Sequence, residues 1–178
     1  MIKRCGLVLK QLLPNQYEKS IYDIRFDELK KKGIKGIITD LDNTLVEWDR
    51  PQATPEVQQW FKELKEMGMK ITIVSNNNLK RVKAFAEPEE AVFIHSAQKP
   101  RRRAFKQACQ EMNLKDEEVV VIGDQMFTDV LGGNRANLHT ILVVPVTNTD
   151  GLATKFNRTM ERFVLKWMRK RGLIKWED

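Results

Sequence analysis

Five short runs rich in isoleucine and valine, at Ile34–Thr39, Lys70–Val74, Ala91–Ile94, Val119–Ile122 and Thr140–Val144, constrain this chain more than any other feature. Most are continuously apolar rather than alternating, the pattern of strands buried on both faces, so a parallel sheet covered by helices is predicted. The stretches between them carry helical periodicity. Thr54 as N-cap and Pro55 at the first helical position open a helix that places Val57, Trp60, Phe61 and Leu64 on one face and ends at Gly68. A second helix is predicted over Leu79–Ala86, stopping before Pro88. A third follows Pro100 with Ala104, Phe105, Ala108 and Met112 on one face, and a short one follows Thr128. Ser20 to Lys32 reads as a further helix closed by Gly33, with Ile21, Ile24 and Leu29 turned inward. The predicted architecture is α/β, a doubly wound, five-stranded parallel sheet.

A chain of 178 residues with 42% hydrophobic content suits one domain, here 1–150, followed by a tail at 151–178. No apolar run approaches the roughly 18–20 residues needed to span a bilayer, and Lys10 and Gln11 interrupt the stretch from Met1 to Leu13, which therefore reads as neither anchor nor signal. Two cysteines, Cys5 and Cys109, make no disulfide framework, and Cys109 falls within a helical apolar pattern; a reduced, cytoplasmic setting is expected. The net charge of +7 favours anionic partners, whether phosphorylated metabolites, acidic lipid headgroups or nucleic acid. From Gly151 onward eight basic residues face three acidic ones, so most of that excess sits in the tail. There Phe156, Met160, Phe163, Val164, Trp167 and Met168 form an apolar stripe at helical spacing. Such a helix suits peripheral contact with an anionic membrane or packing against the domain, and the sequence leaves both readings open.

The chemistry lies where polar residues follow strands, the place doubly wound sheets put their ligands. After the first run come Asp40 and Asp42, two carboxylates where charge is costly without a partner. After the fourth come Asp124 and, beyond Thr128, Asp129. Four acids at two strand ends suggest one hard-metal site, and oxygen-only donors point to Mg²⁺ rather than zinc. Ser75 and Asn76 after the second run, with Lys99 after the third, are candidates for holding phosphate. Each element has an ordinary structural role to set beside this. Asp and Asn close strands, Thr128 or Asp129 can cap a helix, Ser75 to Asn78 suits a loop and N-cap, and a lysine at a strand end is usually solvated. Sheet folding does not, however, demand acid pair, hydroxyl, lysine and second acid pair after four successive strands. His95 and His139 are read as structural.

In that order the residues resemble the haloacid dehalogenase (HAD) superfamily of phosphohydrolases. Asp40-Leu41-Asp42-Asn43-Thr44 matches its first motif, Ser75 the second, Lys99-Pro100 the third, and Gly123-Asp124-Gln125 through Thr128-Asp129 the fourth. The Lys-Pro pair and the form of the fourth motif are similar to the IIIA subgroup that holds YqeG-like and mitochondrial phosphatidylglycerophosphate phosphatases. The resemblance implies a HAD-like Rossmannoid fold, Asp40 as nucleophile forming an aspartyl phosphate, and Asp42 as general acid and base. It implies Mg²⁺ held by the Asp40 carboxylate, the Asp42 carbonyl, Asp124 and Asp129, and a phosphate cradle of Ser75, Asn76 and Lys99. The motif spacing leaves room only for a flap near Trp48, itself read as packing, and for single helices and strands, so no cap domain is expected and the site should lie open. The leading expectation is a phosphatidylglycerophosphate phosphatase-like enzyme. The alternatives are a phosphatase for nucleic-acid ends or a phosphoprotein, and a non-catalytic binding protein on the same fold.

Overall fold

The computed structural model describes residues 10–147 together with Val164, Lys166 and Lys170. Six strands form one wholly parallel sheet: β1 (Gln16–Glu18), β2 (Gly36–Thr39), β3 (Lys70–Val74), β4 (Val92–Ile94), β5 (Val119–Gly123) and β6 (His139–Val143). They lie in the order β1-β6-β5-β2-β3-β4. The expected five strands are present with small shifts at their ends, and the sheet gains a sixth. The extra strand, β1, is a half-buried Gln-Tyr-Glu segment at the edge, with no apolar run to signal it. Asn15 fixes it by reaching the neighbouring strand twice: its amide N–H donates to the Thr140 carbonyl at 2.9 Å, and its side-chain oxygen accepts from the Thr140 amide at 2.8 Å. Asn134 adds two bonds from its side-chain amide to the carbonyls of Gln11 and Leu13.

The helices are α1 (Phe26–Lys31), α2 (Pro55–Glu66), α3 (Leu79–Ala86), α4 (Arg102–Met112) and α5 (Leu131–Arg135). Thr54 caps α2 through its hydroxyl, and Gly68 beyond the helix takes a left-handed φ of 76°. The continuous helix expected from Ser20 to Lys32 is broken. Ser20 accepts from the Tyr22 amide and Ile21–Asp23 makes a short 3-10 turn; Ile24 is extended before α1 begins. Burial explains the break, because it sends Ile21, Ile24, Phe26 and Leu29 all into the core, which a straight helix over this spacing would not.

Successive strand residues point to opposite faces, and both faces are filled. Ile37, Ile71, Ile73, Val120 and Ile122 meet the helical residues Phe26, Leu29, Trp60, Phe61, Leu64 and Phe85. Ile38, Val74, Val119 and Val121 meet Ala104, Phe105, Ala108, Cys109 and Met112 of α4 on the other face. Burial pushes the Cys109 thiol up to about 11, which suits a packing role. A third cluster of Leu12, Met126, Val130, Leu131 and Leu142 takes Val164 against it. The rest of the stripe placed in the tail, Phe156, Met160, Phe163, Trp167 and Met168, lies outside the described residues, as does Cys5. Among the described residues no helix is long and apolar enough to cross a membrane.

The strand order positions the site. From β2 the chain moves outward through β3 to β4, then crosses back to β5 on the other side of β2 and on to β6. The turns after β2 and β5 therefore sit side by side at the point where the winding reverses, where open α/β sheets form their crevice.

Close packing of α5 on α4 rests on Gly132, where a Cβ would lie 2.3 Å from Cε2 of the fully buried Phe105. Gly132→Ala is expected to cost about 1–3 kcal/mol of stability, and less in a Phe105→Leu background, as read by a double-mutant cycle of chemical denaturation.

Candidate active site

Asp40 is the first residue past β2, and its amide donates to the Ile122 carbonyl of β5 at 3.0 Å. This backbone bond ties the ends of two strands together and sets the Asp40 carboxylate beside those of Asp124 and Asp129. Oxygens of the three lie within 4.8 Å of one another, and all three residues are buried. The four acids chosen from sequence thus divide. Asp40, Asp124 and Asp129 converge, and the Asp42 carboxylate stands apart from them.

Local structure accounts for the placement of Asp129. Residues Met126–Val130 form a π-helical turn, so both the Asp129 and Val130 amides point at the Gln125 carbonyl. The turn folds the Asp129 carboxylate back to accept from the Gln125 amide at 3.1 Å. It also presses the carboxyl group against Gly123, where a Cβ would lie only 2.3 Å from Asp129 Cγ; only glycine leaves room. Asp129 therefore does not cap α5. Asp124 accepts from the buried Thr44 hydroxyl at 2.9 Å, which gives the last residue of the first motif a positioning task.

Lys99 is the cation of the cluster. Its Nζ lies 2.7 Å from Asp40 Oδ1 and 2.7 Å from Asp129 Oδ1, and its side chain is 3% exposed. Burial by itself would depress the ammonium, but the facing carboxylates of Asp129 and Asp40 outweigh it and raise the pKa above the ordinary lysine value. Burial in turn holds Asp129 above the usual carboxylate range, with Lys99 opposing and Asp40 adding to the shift. Three carboxylates beside one ammonium leave a charge of −2, which a divalent cation would cancel, and the all-oxygen donor set suits a hard one. Among the described residues Asp40, Asp124 and Asp129 are the group fit to hold it.

A cavity of about 330 Å³ opens over this cluster, lined by Asp40, Asp42, Ser75, Asn76, Lys99, Gln125 and Thr128 among others. Ser75 and Asn76 both line it, and each side chain has its own partner. The Ser75 hydroxyl accepts from the Asn77 amide at 3.1 Å and its own hydrogen is left to donate. The Asn76 side chain brackets the main chain of Lys99, accepting from its amide at 2.7 Å and donating to its carbonyl at 3.3 Å. Asn76 thus aims the lysine. Trp48, read from sequence as packing, is 47% exposed and forms part of the cavity wall. His95 is exposed beside Ser96, and His139 bonds Gln16 across the sheet edge; neither is among the residues lining the cavity.

Two residues at the site carry no signature in the motifs. Arg81 and Asn77 both bond the Asp42 carboxylate, Arg81 to Oδ1 and Asn77 to Oδ2. Burial and the nearby Asp40 raise the Asp42 pKa, and Arg81 and Asn77 pull it back. A weaker signal existed: Asn77 and Arg81 are four residues apart around the N-cap Asn78, which puts both on one side of the start of α3.

Among the described residues no inserted domain covers the cavity. Between Asp42 and Ser75 the chain holds a flap, α2 and β3; between Asn76 and Lys99 it holds α3 and β4.

Comparisons with known proteins bear on the family and the fold. The family model for haloacid dehalogenase-like hydrolases matches residues 16–137, from β1 to the turn before β6. The probable phosphatase YqeG of Bacillus subtilis is 55% identical over 172 residues, which is 97% of this chain and all of that protein. The chloroplastic/mitochondrial phosphatidylglycerophosphate phosphatase 1 of Arabidopsis thaliana is 29% identical over 89% of this chain and 49% of its own length. Among solved structures, the cobalt-bound deoxy-D-mannose-octulosonate 8-phosphate phosphatase of Haemophilus influenzae superposes with a TM-score of 0.54. That match covers 83% of this chain and 96% of the neighbour at 15% identity, a likeness of fold. A family match over more than half the chain, joined to a full-length relative at 55% identity, makes this chain a phosphatase of the haloacid dehalogenase-like hydrolase family.

Proposed function

We propose that the chain is a Mg²⁺-dependent phosphomonoester hydrolase that works through a phosphoryl group carried on Asp40, with phosphatidylglycerophosphate or a closely similar phospholipid monoester as substrate. The observation that carries the mechanism is the buried Asp40-Asp124-Asp129 group with Lys99 bridging two of its members. Uncatalysed phosphate monoester hydrolysis is so slow that accelerations up to ~10²¹ are known. General acid-base catalysis supplies only ~10²–10⁴, so a covalent step and strong electrostatic stabilisation are needed as well.

In this reading an Asp40 oxygen bonds to phosphorus as the ester bond to the leaving oxygen breaks, and Asp42 gives that oxygen its proton. Water then attacks the phosphorus, releasing Asp40, and Asp42 takes the water's proton. Lys99 and the Ser75 hydroxyl donate to the phosphoryl oxygens, and Asn76 keeps Lys99 in place. When bound, the cation would screen the negative charge between Asp40 and phosphate and polarise a phosphoryl oxygen. Its ligands would be the Asp40, Asp124 and Asp129 carboxylates, the last directly or through water, and the Asp42 carbonyl. The lipid assignment is supported by similarity to the Arabidopsis enzyme and by an open cavity that leaves a bulky leaving group outside the protein.

Asp40→Asn is expected to lower Mg²⁺-dependent phosphate release from an aryl phosphate by at least ~10³-fold; turnover equal to wild type would overturn the assignment of the nucleophile. Mg²⁺ at 100 times its Kd should stabilise the wild-type chain by about 2.7 kcal/mol, a rise of roughly 5–10 °C in Tm for a domain of this size. Asp124→Ala should abolish that shift, and an unchanged shift would remove Asp124 from the ligand set. Across a substrate panel, phosphatidylglycerophosphate in mixed micelles should be hydrolysed faster than a 5′-phosphorylated oligonucleotide. The opposite ranking would transfer the assignment to nucleic-acid ends.

A further inference from the structure

Asp42 lies on the same turn as Asp40, yet its carboxylate is held by a different part of the protein. Arg81, in the first turn of α3, donates from Nε to Asp42 Oδ1 at 3.0 Å, and its Nη2 lies 2.9 Å from the same oxygen. Asn77 donates from Nδ2 to Asp42 Oδ2 at 3.1 Å, while its own oxygen accepts from the Asn78 amide and fixes which way the amide faces. Arg81 is anchored from two further directions. Nη1 donates to the Pro51 carbonyl at the end of the flap, and the guanidinium carbon lies 5.9 Å from the centroid of the Phe85 ring. The Arg81 and Asp42 side chains are 14% and 19% exposed, so this pair is largely withdrawn from water. An exposed ion pair would contribute little, but one this buried, with donors on both carboxylate oxygens, leaves the carboxyl group a single orientation.

We propose that Arg81 is a positioning residue that, together with Asn77, holds the Asp42 carboxyl at the angle from which it delivers a proton to the leaving oxygen. The inference rests on the phosphatase mechanism given above. Asp42 Oδ1 faces two Arg81 nitrogens, while Oδ2 accepts a single bond from Asn77 and keeps a lone pair for the proton. A proton is carried there without breaking these bonds: it passes to the leaving oxygen as the ester P–O bond breaks and the Asp40 O–P bond forms. The same geometry receives a proton from water when the Asp40 O–P bond is cleaved. Proton transfer needs heavy atoms within about 2.6–3.2 Å, and small errors of placement are costly. Arg81 meets Asp42 from the protein side and reaches substrate only through it. Its bond to the Pro51 carbonyl makes the flap that carries Trp48 part of the same clamp.

The test is the dependence on leaving group. With full-length protein and Mg²⁺, kcat/KM is measured for an alkyl ester, glycerol phosphate, and for 2,4-dinitrophenyl phosphate, whose leaving group departs without a proton. Because kcat/KM reports events through phosphorylation of Asp40, it isolates the step that needs the acid. Arg81→Met should lower kcat/KM for the alkyl ester by about 10²-fold, at least tenfold more than for the dinitrophenyl ester. Arg81→Lys should recover part of the loss, and in an Asp42→Asn background Arg81→Met should add less than about threefold. Equal losses on both esters, or full additivity with Asp42→Asn, would overturn the inference and leave Arg81 a structural residue. A wild-type chain with no Asp40-dependent turnover of either ester would instead remove the phosphatase mechanism beneath it.

Discussion

An ammonium group almost sealed from solvent between two carboxylates is the constraint around which the rest of the molecule is arranged. Lys99 is tolerable at 3% side-chain exposure only because Asp40 and Asp129 meet it, and those carboxylates, crowded by Asp124, need it in return. Taking either partner from a buried pair of this kind costs about 3–5 kcal/mol. The backbone has been shaped to meet that demand. Gly123 leaves space that no side chain could share with Asp129, the π-turn folds Asp129 back over it, and Asn76 grips the lysine from both sides of its own peptide.

The two acids of the first motif show how two residues of separation suffice for distinct environments. Asp40 is still in register with the sheet, its amide bonded to β5, and so it points into the cationic cluster. Asp42 has left the sheet, and the chain around it turns back so that the Asn43 amide reaches the Val46 carbonyl. That turn delivers its carboxylate to the N-terminal end of α3 instead. One carboxylate is thus surrounded by other acids and a lysine, the other by an arginine and an amide. Pairs of carboxyl groups with contrasting surroundings are how one site hosts two chemical tasks.

What could be read from the chain alone follows a physical pattern. β2, β3, β5 and β6 were legible because burial on both faces writes itself as uninterrupted Ile and Val. β1 was not, since Gln16, Tyr17 and Glu18 are held by a single neighbour and by Asn15 and Asn134, and no apolar signal is needed for that. The segment from Ser20 to Lys32 misled because Ile21, Ile24 and Leu29 satisfy a helical spacing, while Phe26, which falls off that face, is taken into the core as well and the path breaks. In the site, the acids, Ser75 and Lys99 stood at strand ends, where position alone is informative. Arg81 and Asn77 gain their meaning from which strand lies beside which, and spacing does not encode strand order. Trp48 needed the course of the flap before its exposure over the cavity was apparent.

At the margins of the sheet, both outermost strands are only three residues long, and the longer, greasier strands are all interior. Without Gln16–Glu18 laid along it, β6 would offer a row of unpaired peptide groups flanked by Ile141, Leu142 and Val143, an invitation to another molecule's strand. A brief, hydrophilic border closes that opening, so a segment with little apolar burial of its own serves as a guard against self-templated clumping.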